Sequence, residues 1–350
     1  MNSDWKKFLI TKNAVLENNS VKNFSLSIDE EQAAYSKLVL ADLSQYAVIE
    51  ASGDDVIEFL QGQLSNDIKL VTEKTGQLSA YCNPKGRIMA TFRIFKRNGL
   101  LFLRLHSNIA ESTLKRLRMF VMRSKVELHD RSDELSRIGV AGMDATAKLS
   151  EIFKNLPKDT DESSTENDLT IVKLSEFPPR YEVYGPLQQV KQLWENLQTD
   201  GTPIGENSWN LLTIRAAIPE IVAETVEAFV PQMVNLQAIN GLSFTKGCYP
   251  GQEVVARMHY LGKLKRRLFK CSAETDELPV PGEAIMTSEE NEQKIGQIVS
   301  SSWTSNNKIE FLAVLQIEKA QKNELHIKTR KGPSIKLDQL PYSLENEEKT

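Results

Sequence analysis

The chain has 350 residues, a length typical of two or three domains. Hydrophobic residues make up 40%, charged residues 26%, and there are only 17 Gly and 13 Pro, which excludes a chain that is disordered or collagen-like throughout. The formal net charge of −4 excludes a protein coated with positive charge for non-specific nucleic-acid binding.

The first 35 residues are polar and weakly periodic, and they predict an arm or an irregular strand. Residues 1–19 show no secretory pattern, and no segment reaches the roughly 18–20 apolar residues of a membrane helix. Cys82, Cys248 and Cys271 share no CxxC spacing, so neither a disulfide framework nor a metal cage is expected. These features predict a cytoplasmic protein without a membrane or metal partner.

The first half of the chain mixes helices and hairpins. A helix is expected after Gly53, then a strand at 86–95, a hairpin turn at Asn98-Gly99 and a helix at 111–122. Because no steady βαβ rhythm is present, the fold class is α+β.

A further unit is expected from residue 136. It contains a strand at Ile138, a helix capped by Asp144 and a solvent loop at 157–168. Two strands and a helix are expected to follow at 169–174, 180–184 and 187–197. Beyond residue 264, regular spacing predicts a small β-barrel of five short strands, at 268–272, 283–286, 295–300, 309–315 and 324–328.

The most unusual segment surrounds a cysteine at residues 246–253. In order it reads Lys246, Gly247, Cys248, Tyr249, Pro250, Gly251, Gln252 and Glu253. The glycines and proline predict a tight turn, and cations at Lys246 and Arg257 would favour the reactive thiolate of Cys248. The same pattern also fits a glycine turn around a buried, inert cysteine. Glu253 is expected to begin a helix at 253–258.

Basic residues concentrate in two places, near 115–125 and near 263–270. Both clusters fit solvated faces, and both also fit a docking surface for an anion such as RNA phosphate or a polycarboxylate. His259 is the histidine nearest to the cysteine segment, but spacing alone does not place it against the thiol.

Residues 246–257 resemble the signature of the YgfZ family, whose members are folate-binding relatives of the glycine-cleavage T-protein, an aminomethyltransferase. Shorter stretches support the resemblance: Gln61-Gly62-Gln63 with Asp67, Lys85-Gly86, Ser124-Lys125-Val126, Phe229-Val230-Pro231-Gln232 and Gly241-Leu242-Ser243-Phe244.

The resemblance implies a three-domain, aminomethyltransferase-like fold with a C-terminal β-barrel. A first folate-binding domain would comprise residues 1–135 and be completed by 205–262, a second would comprise 136–204, and the barrel would comprise 263–350. The family resemblance also implies a monomer.

The resemblance further implies that tetrahydrofolate or a related folate binds at two aromatic side chains, Tyr46 and Trp209. Stacking suits the flat pterin ring. The family commonly has a glutamate before Ala-Gly, whereas this chain has Arg215, which cannot accept a hydrogen bond. The catalytic aspartate of aminomethyltransferases is also missing after Gly86, so methylamine transfer is not expected.

The leading hypothesis is therefore a folate-binding accessory protein that supports iron–sulfur enzymes or their assembly factors, and through them tRNA modification, with Cys248 as a redox-active residue. One alternative is a folate-dependent one-carbon transferase or demethylase. Another is a module that binds tRNA or a protein through a basic face. Whether the protein is itself an enzyme stays open at this point.

Overall fold

The computed structural model describes residues 1–17, 20–24, 30–288, 293–305 and 307–344. The first elements are α1 (Ser3–Thr11), β1 (Ala14–Glu17), β2 (Ser20–Phe24), α2 (Glu30–Ser36), β3 (Val39–Asp42), β4 (Tyr46–Ser52), α3 (Val56–Gln61), β5 (Gln77–Cys82), β6 (Ile88–Arg97) and β7 (Leu100–His106). Next come α4 (Ala110–Val121), β8 (Glu127–Asp130), β9 (Ser136–Ala141), α5 (Ala145–Ser150), β10 (Ser163–Glu166), β11 (Leu169–Glu176), β12 (Pro179–Gly185), α6 (Leu187–Gln198), β13 (Thr202–Ile204) and α7 (Glu206–Arg215). The last are α8 (Gln252–Tyr260), β14 (Arg266–Glu274), β15 (Ala284–Thr287), β16 (Lys294–Ser305), β17 (Lys308–Gln316), α9 (Ile317–Lys322), β18 (Leu325–Ile327) and β19 (Ile335–Asp338).

The chain divides into two compact units. Unit 1 comprises Met1–Phe59, Ile68–Gln77 and Phe92–Trp209, and unit 2 comprises Leu60–Asp67, Leu78–Thr91 and Asn210–Thr350. The three-domain division stays a prediction, and residues 345–350 of its last domain lie outside the described residues.

The prediction of an irregular N-terminal arm is wrong. The Asn2 side chain accepts hydrogen bonds from the backbone N–H groups of Asp4 and Trp5, at 2.9 and 3.2 Å, and so caps helix α1. Trp5 and Leu9, one turn apart, are only 2% and 0% exposed. Two apolar anchors in a polar segment are a weak periodic signal, and packing within unit 1 supplies most of the stability of so short a helix.

A six-stranded sheet organises unit 1, in the order β10-β11-β12-β9-β3-β13. Its pairs are antiparallel except for β13, which runs parallel to β3. One face packs on α6, which buries Val190, Leu193, Trp194 and Leu197 at helical spacing, as the sequence predicts.

A second sheet of unit 1 pairs β4 with both β7 and β8, and residues 93–97 of β6 with β7. The predicted hairpin turn joins β6 and β7, with positive φ angles of 51° at Asn98 and 82° at Gly99. The predicted helices near 53 and 111 are likewise confirmed as α3 and α4.

Two local predictions in unit 1 are wrong. The expected solvent loop at 157–168 contains β10, which pairs with β11 and buries Ser163 to 3% exposure, because the sheet supplies partners for its polar backbone. Asp144 precedes α5 as expected, but its side chain makes no capping hydrogen bond because its backbone is already helical.

The C-terminal sheet of unit 2 has the order β18-β15-β16-β17-β14-β19, and all five predicted strands are confirmed. The sheet curls until His326 in β18 forms a bridge to Ser334, directly before β19. Its interior is apolar and includes Cys271, Ile285, Ile298 and Phe311. Across the described part of both units, no helix is both long and apolar enough to cross a bilayer.

Candidate functional site

Strand β12 carries a buried charged face in unit 1. Tyr181 and Val183 pack in the apolar core, so the alternating residues Arg180, Glu182 and Tyr184 face the other side of the sheet. That side is also covered, since Phe95 of the second sheet lies 4.5 Å from Tyr184, measured between ring centroids. Charged side chains are therefore enclosed between two sheets.

An ion pair links this face to Tyr46. The guanidinium of Arg104 on β7 lies 3.2 Å from the carboxylate of Glu182, which is 0% exposed. The guanidinium carbon of Arg104 also lies 3.9 Å from the ring centroid of Tyr46, which is 1% exposed. Tyr184 donates a hydrogen bond to Glu182, and burial together with that carboxylate raises the pKa of Tyr184 well above its ordinary value of 10.

Trp209 reaches the same face of the sheet. Its ring lies over Gly139, where an added Cβ would come within 2.4 Å of the ring. Gly139 is the cross-strand partner of Glu182, and the guanidinium carbon of Arg180 is 5.4 Å from the Trp209 ring centroid. The two aromatic residues predicted from the sequence are thus connected through one buried Arg104–Glu182 pair.

Gln45 stands out beside Tyr46. It is only 5% exposed, yet neither the nitrogen nor the oxygen of its amide has a hydrogen-bond partner among the described residues. Most buried amide groups are hydrogen-bonded. A polar side chain left unsatisfied here suits a ligand with a polar edge.

Sequence reasoning missed Arg104, Glu182 and Gln45. The available signal was the alternation of Arg180, Glu182 and Tyr184 along a strand, which is typical of a solvent-facing side. Only the second sheet turns that side into an interior.

Arg215 lies in unit 2 and is held there. Its guanidinium donates to both carboxylate oxygens of Glu310, with Nε–Oε1 and Nε–Oε2 distances of 2.9 and 3.1 Å. Arg215 therefore offers no acceptor where the family commonly has a glutamate, whereas Glu182 is a buried carboxylate beside the two aromatic residues of unit 1.

The cysteine segment forms an exposed loop in unit 2. Cys248 and Gly247 are exposed, so the alternative in which Cys248 is a buried residue is wrong. Gly251 has a φ of +80°, and a Cβ there would lie 2.5 Å from the Asn83 carbonyl oxygen. The loop therefore fits tightly against the turn at 83–86, and α8 begins directly after it, as predicted.

Lys246 fixes the start of this loop. It is 8% exposed, and its ammonium donates hydrogen bonds to the backbone carbonyls of Gln61 and Leu64. Burial lowers the pKa of Lys246 to about 8, although the charges of Asp67 and Cys248 act in the opposite direction. The described hydrogen bonds of this cation thus go to backbone oxygens near α3.

The remaining motif residues lie on both sides of the loop. Tyr249 is buried, and its hydroxyl has no hydrogen-bond partner in the described ranges. The Gln252 side chain donates a hydrogen bond to the Lys246 carbonyl, at a distance of 3.5 Å. Glu253 and Arg257 are exposed on α8. His259 stacks on Phe244 at a centroid distance of 3.8 Å.

Cys82 and Cys271 are buried strand residues, as the sequence predicts. Burial raises the pKa of Cys82 to about 12 and also raises that of Cys271. Among residues that the structure describes, no three His, Cys, Asp or Glu side chains are placed together to hold a metal ion.

Comparisons with known proteins agree with this architecture. Residues 12–176 match the family model described as the GCVT N-terminal domain. The chain is 32% identical over 307 residues to the tRNA-modifying protein YgfZ of Colwellia psychrerythraea (strain 34H / ATCC BAA-681), covering 87% of this chain and 93% of that protein. It is also 32% identical over 309 residues to the protein of the same name from Yersinia pseudotuberculosis serotype IB (strain PB1/+), covering 88% and 93%.

A solved structure shows the same fold. The glycine cleavage system aminomethyltransferase T from Bartonella henselae superposes with a TM-score of 0.77 over 97% of each chain, at 14% identity. The α+β, aminomethyltransferase-like fold class with a curled C-terminal sheet is therefore confirmed.

Proposed function

Because the chain belongs to the family of the tRNA-modifying protein YgfZ, we propose that it binds a reduced folate and supports tRNA modification as a cytoplasmic accessory protein of iron–sulfur enzymes. The observation that carries the folate part is the buried Arg104–Glu182 pair between Tyr46 and Trp209.

The residues around this pair fit a pterin ring. A pterin offers two flat faces and a polar edge, and aromatic rings such as Tyr46 and Trp209 provide stacking surfaces. The Glu182 carboxylate can accept hydrogen bonds from the donor groups of the edge, and the Gln45 amide can donate or accept. Glu182 thus supplies an acceptor from within unit 1.

Arg104 is the residue that folate binding would affect most directly. Its guanidinium covers one face of Tyr46, so a stacked pterin occupies the other face or takes its place. A displaced guanidinium would be available to a carboxylate of the folate tail. The bound folate would supply a carrier for one-carbon units, and the chain's own residues would bind and orient it.

Titration with tetrahydrofolate under reducing conditions tests the folate part. We expect micromolar binding that Trp209→Ala weakens at least tenfold, equivalent to about 1.4 kcal/mol. Glu182→Gln keeps the shape of the side chain, and we expect it to weaken binding while a thermal melt shows a folded protein. Trp303→Phe, in the C-terminal sheet, is the matched control and should bind like the wild type. Absence of binding by the wild type would overturn this part.

The role of Cys248 needs a separate test. Its exposed thiol lies in a loop with tight backbone restraints and can meet a partner protein without unfolding. In a strain that lacks this protein, we expect the Cys248→Ala variant to leave iron–sulfur-dependent tRNA thiolation impaired, and Cys82→Ala to restore it. Full restoration by Cys248→Ala would contradict a redox role.

A further inference from the structure

Positive charge is concentrated in one short segment of unit 2. Between residues 254 and 270 there are six Lys or Arg residues and no Asp or Glu, namely Arg257, Lys263, Lys265, Arg266, Arg267 and Lys270. The chain as a whole carries −4, so the segment carries +6 and the remainder −10. Such an asymmetry is typical of a surface that meets a polyanion.

Three aromatic rings cluster at the end of α8: His259 and Tyr260 of this segment, and Phe244 from the chain just before the cysteine loop. Phe244 and His259 are nearly parallel, with ring centroids 3.8 Å apart and an angle of 12° between their planes. Tyr260 meets His259 edge-on at 4.7 Å, and 64% of its surface is exposed. Neither Phe244 nor His259 is fully buried, so the rings are not part of the apolar core. Exposed rings of this kind can stack on nucleobases.

The basic side chains lie next to these rings. Arg257 precedes Tyr260 by three residues on α8, so both lie on one face of the helix. Lys263, Lys265 and Arg266 follow at once and are exposed. Lys263 also acts electrostatically on Glu318 of α9 and helps to lower the pKa of that carboxyl. Because Lys263, Lys265 and Arg266 are exposed, a ligand can reach them from solvent.

The cluster also lies close to the cysteine loop. Cys248 follows Phe244 by four positions, so their Cα atoms are at most about 15 Å apart. The stacking of Phe244 on His259 brings the start of the loop to the end of α8. A ligand bound on the rings would therefore lie near Cys248.

We propose that Phe244, His259 and Tyr260, together with Arg257, Lys263, Lys265 and Arg266, bind a single-stranded segment of RNA. This ligand class rests on the proposed function, since tRNA presents unpaired bases in its loops and at its end. The rings stack on bases and the cations contact phosphates, a combination that tolerates many sequences. An acidic protein or an anionic membrane would use the cations but would gain nothing from parallel ring stacking.

Fluorescence anisotropy with a labelled single-stranded RNA of twelve nucleotides tests the proposal. We expect Tyr260→Ala to weaken binding by about five-fold to a hundred-fold, the loss of one base stack. Tyr260→Phe retains the ring and should bind like the wild type. Neutralising Lys263, Lys265 and Arg266 to Gln should make the slope of log K against log salt about 2 units less negative.

The matched control removes the same charge elsewhere. Lys115, Arg123 and Lys125 are exposed near the end of α4 in unit 1, and their replacement by Gln should leave RNA binding unchanged. An equal loss of RNA affinity in both triple variants, or an unchanged RNA affinity of Tyr260→Ala, would overturn the proposal. Binding of the protein to phosphatidylglycerol vesicles, with no binding to RNA, would also overturn it. Because folate titration is measured separately, intact folate binding with absent RNA binding would reject only this surface.

Discussion

The buried charged face of unit 1 and the exposed cysteine loop of unit 2 place their polar groups in opposite environments. In unit 1, Arg104 and Glu182 lie in an interior where each charge requires the other. In unit 2, Cys248 and Tyr260 contact solvent and contribute little to the stability of the fold. Substitutions should therefore affect stability and ligand binding together in unit 1, and should separate the two in unit 2.

The largest effect is expected from breaking the buried ion pair. Arg104→Met leaves the Glu182 carboxylate enclosed without its cation and should lower the free energy of unfolding by about 3–5 kcal/mol. Urea denaturation measures the change. The double variant Arg104→Met/Glu182→Leu should recover much of the loss, because no unpaired charge stays buried.

An exposed pair provides the control for this experiment. Lys322 and Glu318 are joined at 2.8 Å on α9, with both side chains largely exposed. Lys322→Met should leave the unfolding midpoint unchanged. If both substitutions had equal effects, the distinction between buried and exposed charge would be wrong.

A smaller loss is expected where Trp209 approaches the sheet. Gly139→Ala places a methyl group 2.4 Å from the indole ring and should cost about 1–3 kcal/mol, while weakening tetrahydrofolate binding. The same change in a Trp209→Ala background should be nearly neutral, since the cavity accepts the methyl group. Gly247→Ala, with no atom within 4 Å of the added Cβ, is the matched control.

The sequence predicts the exposed loop far better than the buried site. Gly251 and Gly86 have positive φ angles, and such backbone restraints leave a local signature of residue types. The Asn98-Gly99 turn and the apolar face of α6 likewise leave a local signature of residue types in the sequence. These features depend on neighbours in the chain, so spacing and composition suffice to find them.

The residues that spacing could not identify depend on distant contacts. Glu182 belongs to a strand whose charged side resembles a solvated one until β6 and β7 cover it. Trp5 and Leu9 are too few to predict a helix until unit 1 buries them. Local patterns report the period of an element, and only tertiary packing decides whether its polar side is enclosed.

Lys246 is a buried charge within unit 2, and its lowered pKa predicts an effect of pH on stability. Its pKa falls from 10.5 to about 8 on folding, so between these values the unfolded chain holds a proton that the folded chain has released. Raising the pH through this window therefore favours the folded state. Compared with Lys246→Met, the wild type should gain free energy of unfolding between pH 8 and pH 10.

Urea denaturation at pH 7.5, 9 and 10 measures this difference. Titrations of groups that Lys246 does not affect cancel in the comparison, and a Cys248→Ser background in both proteins removes the thiol whose charge acts on Lys246. Lys85→Met, a nearby exposed lysine, should follow the wild type at every pH. A difference between wild type and Lys246→Met that stays constant with pH would show that Lys246 keeps its ordinary pKa.

Labelling of the exposed thiol should affect the stability of the fold less than any of the changes above. It tests directly which of the three cysteines are exposed in the native protein. At pH 7.5 the native protein should react with one equivalent of Ellman's reagent at Cys248, because Cys82 and Cys271 are buried with raised pKa values. Cys248→Ser should abolish the native reaction, Cys82→Ser should leave its rate unchanged, and urea should expose all three thiols of the wild type. A second fast-reacting thiol in the native protein would mean that β5 or β14 opens readily. In that case the reactivity of Cys248 could not be attributed to its place in the loop alone.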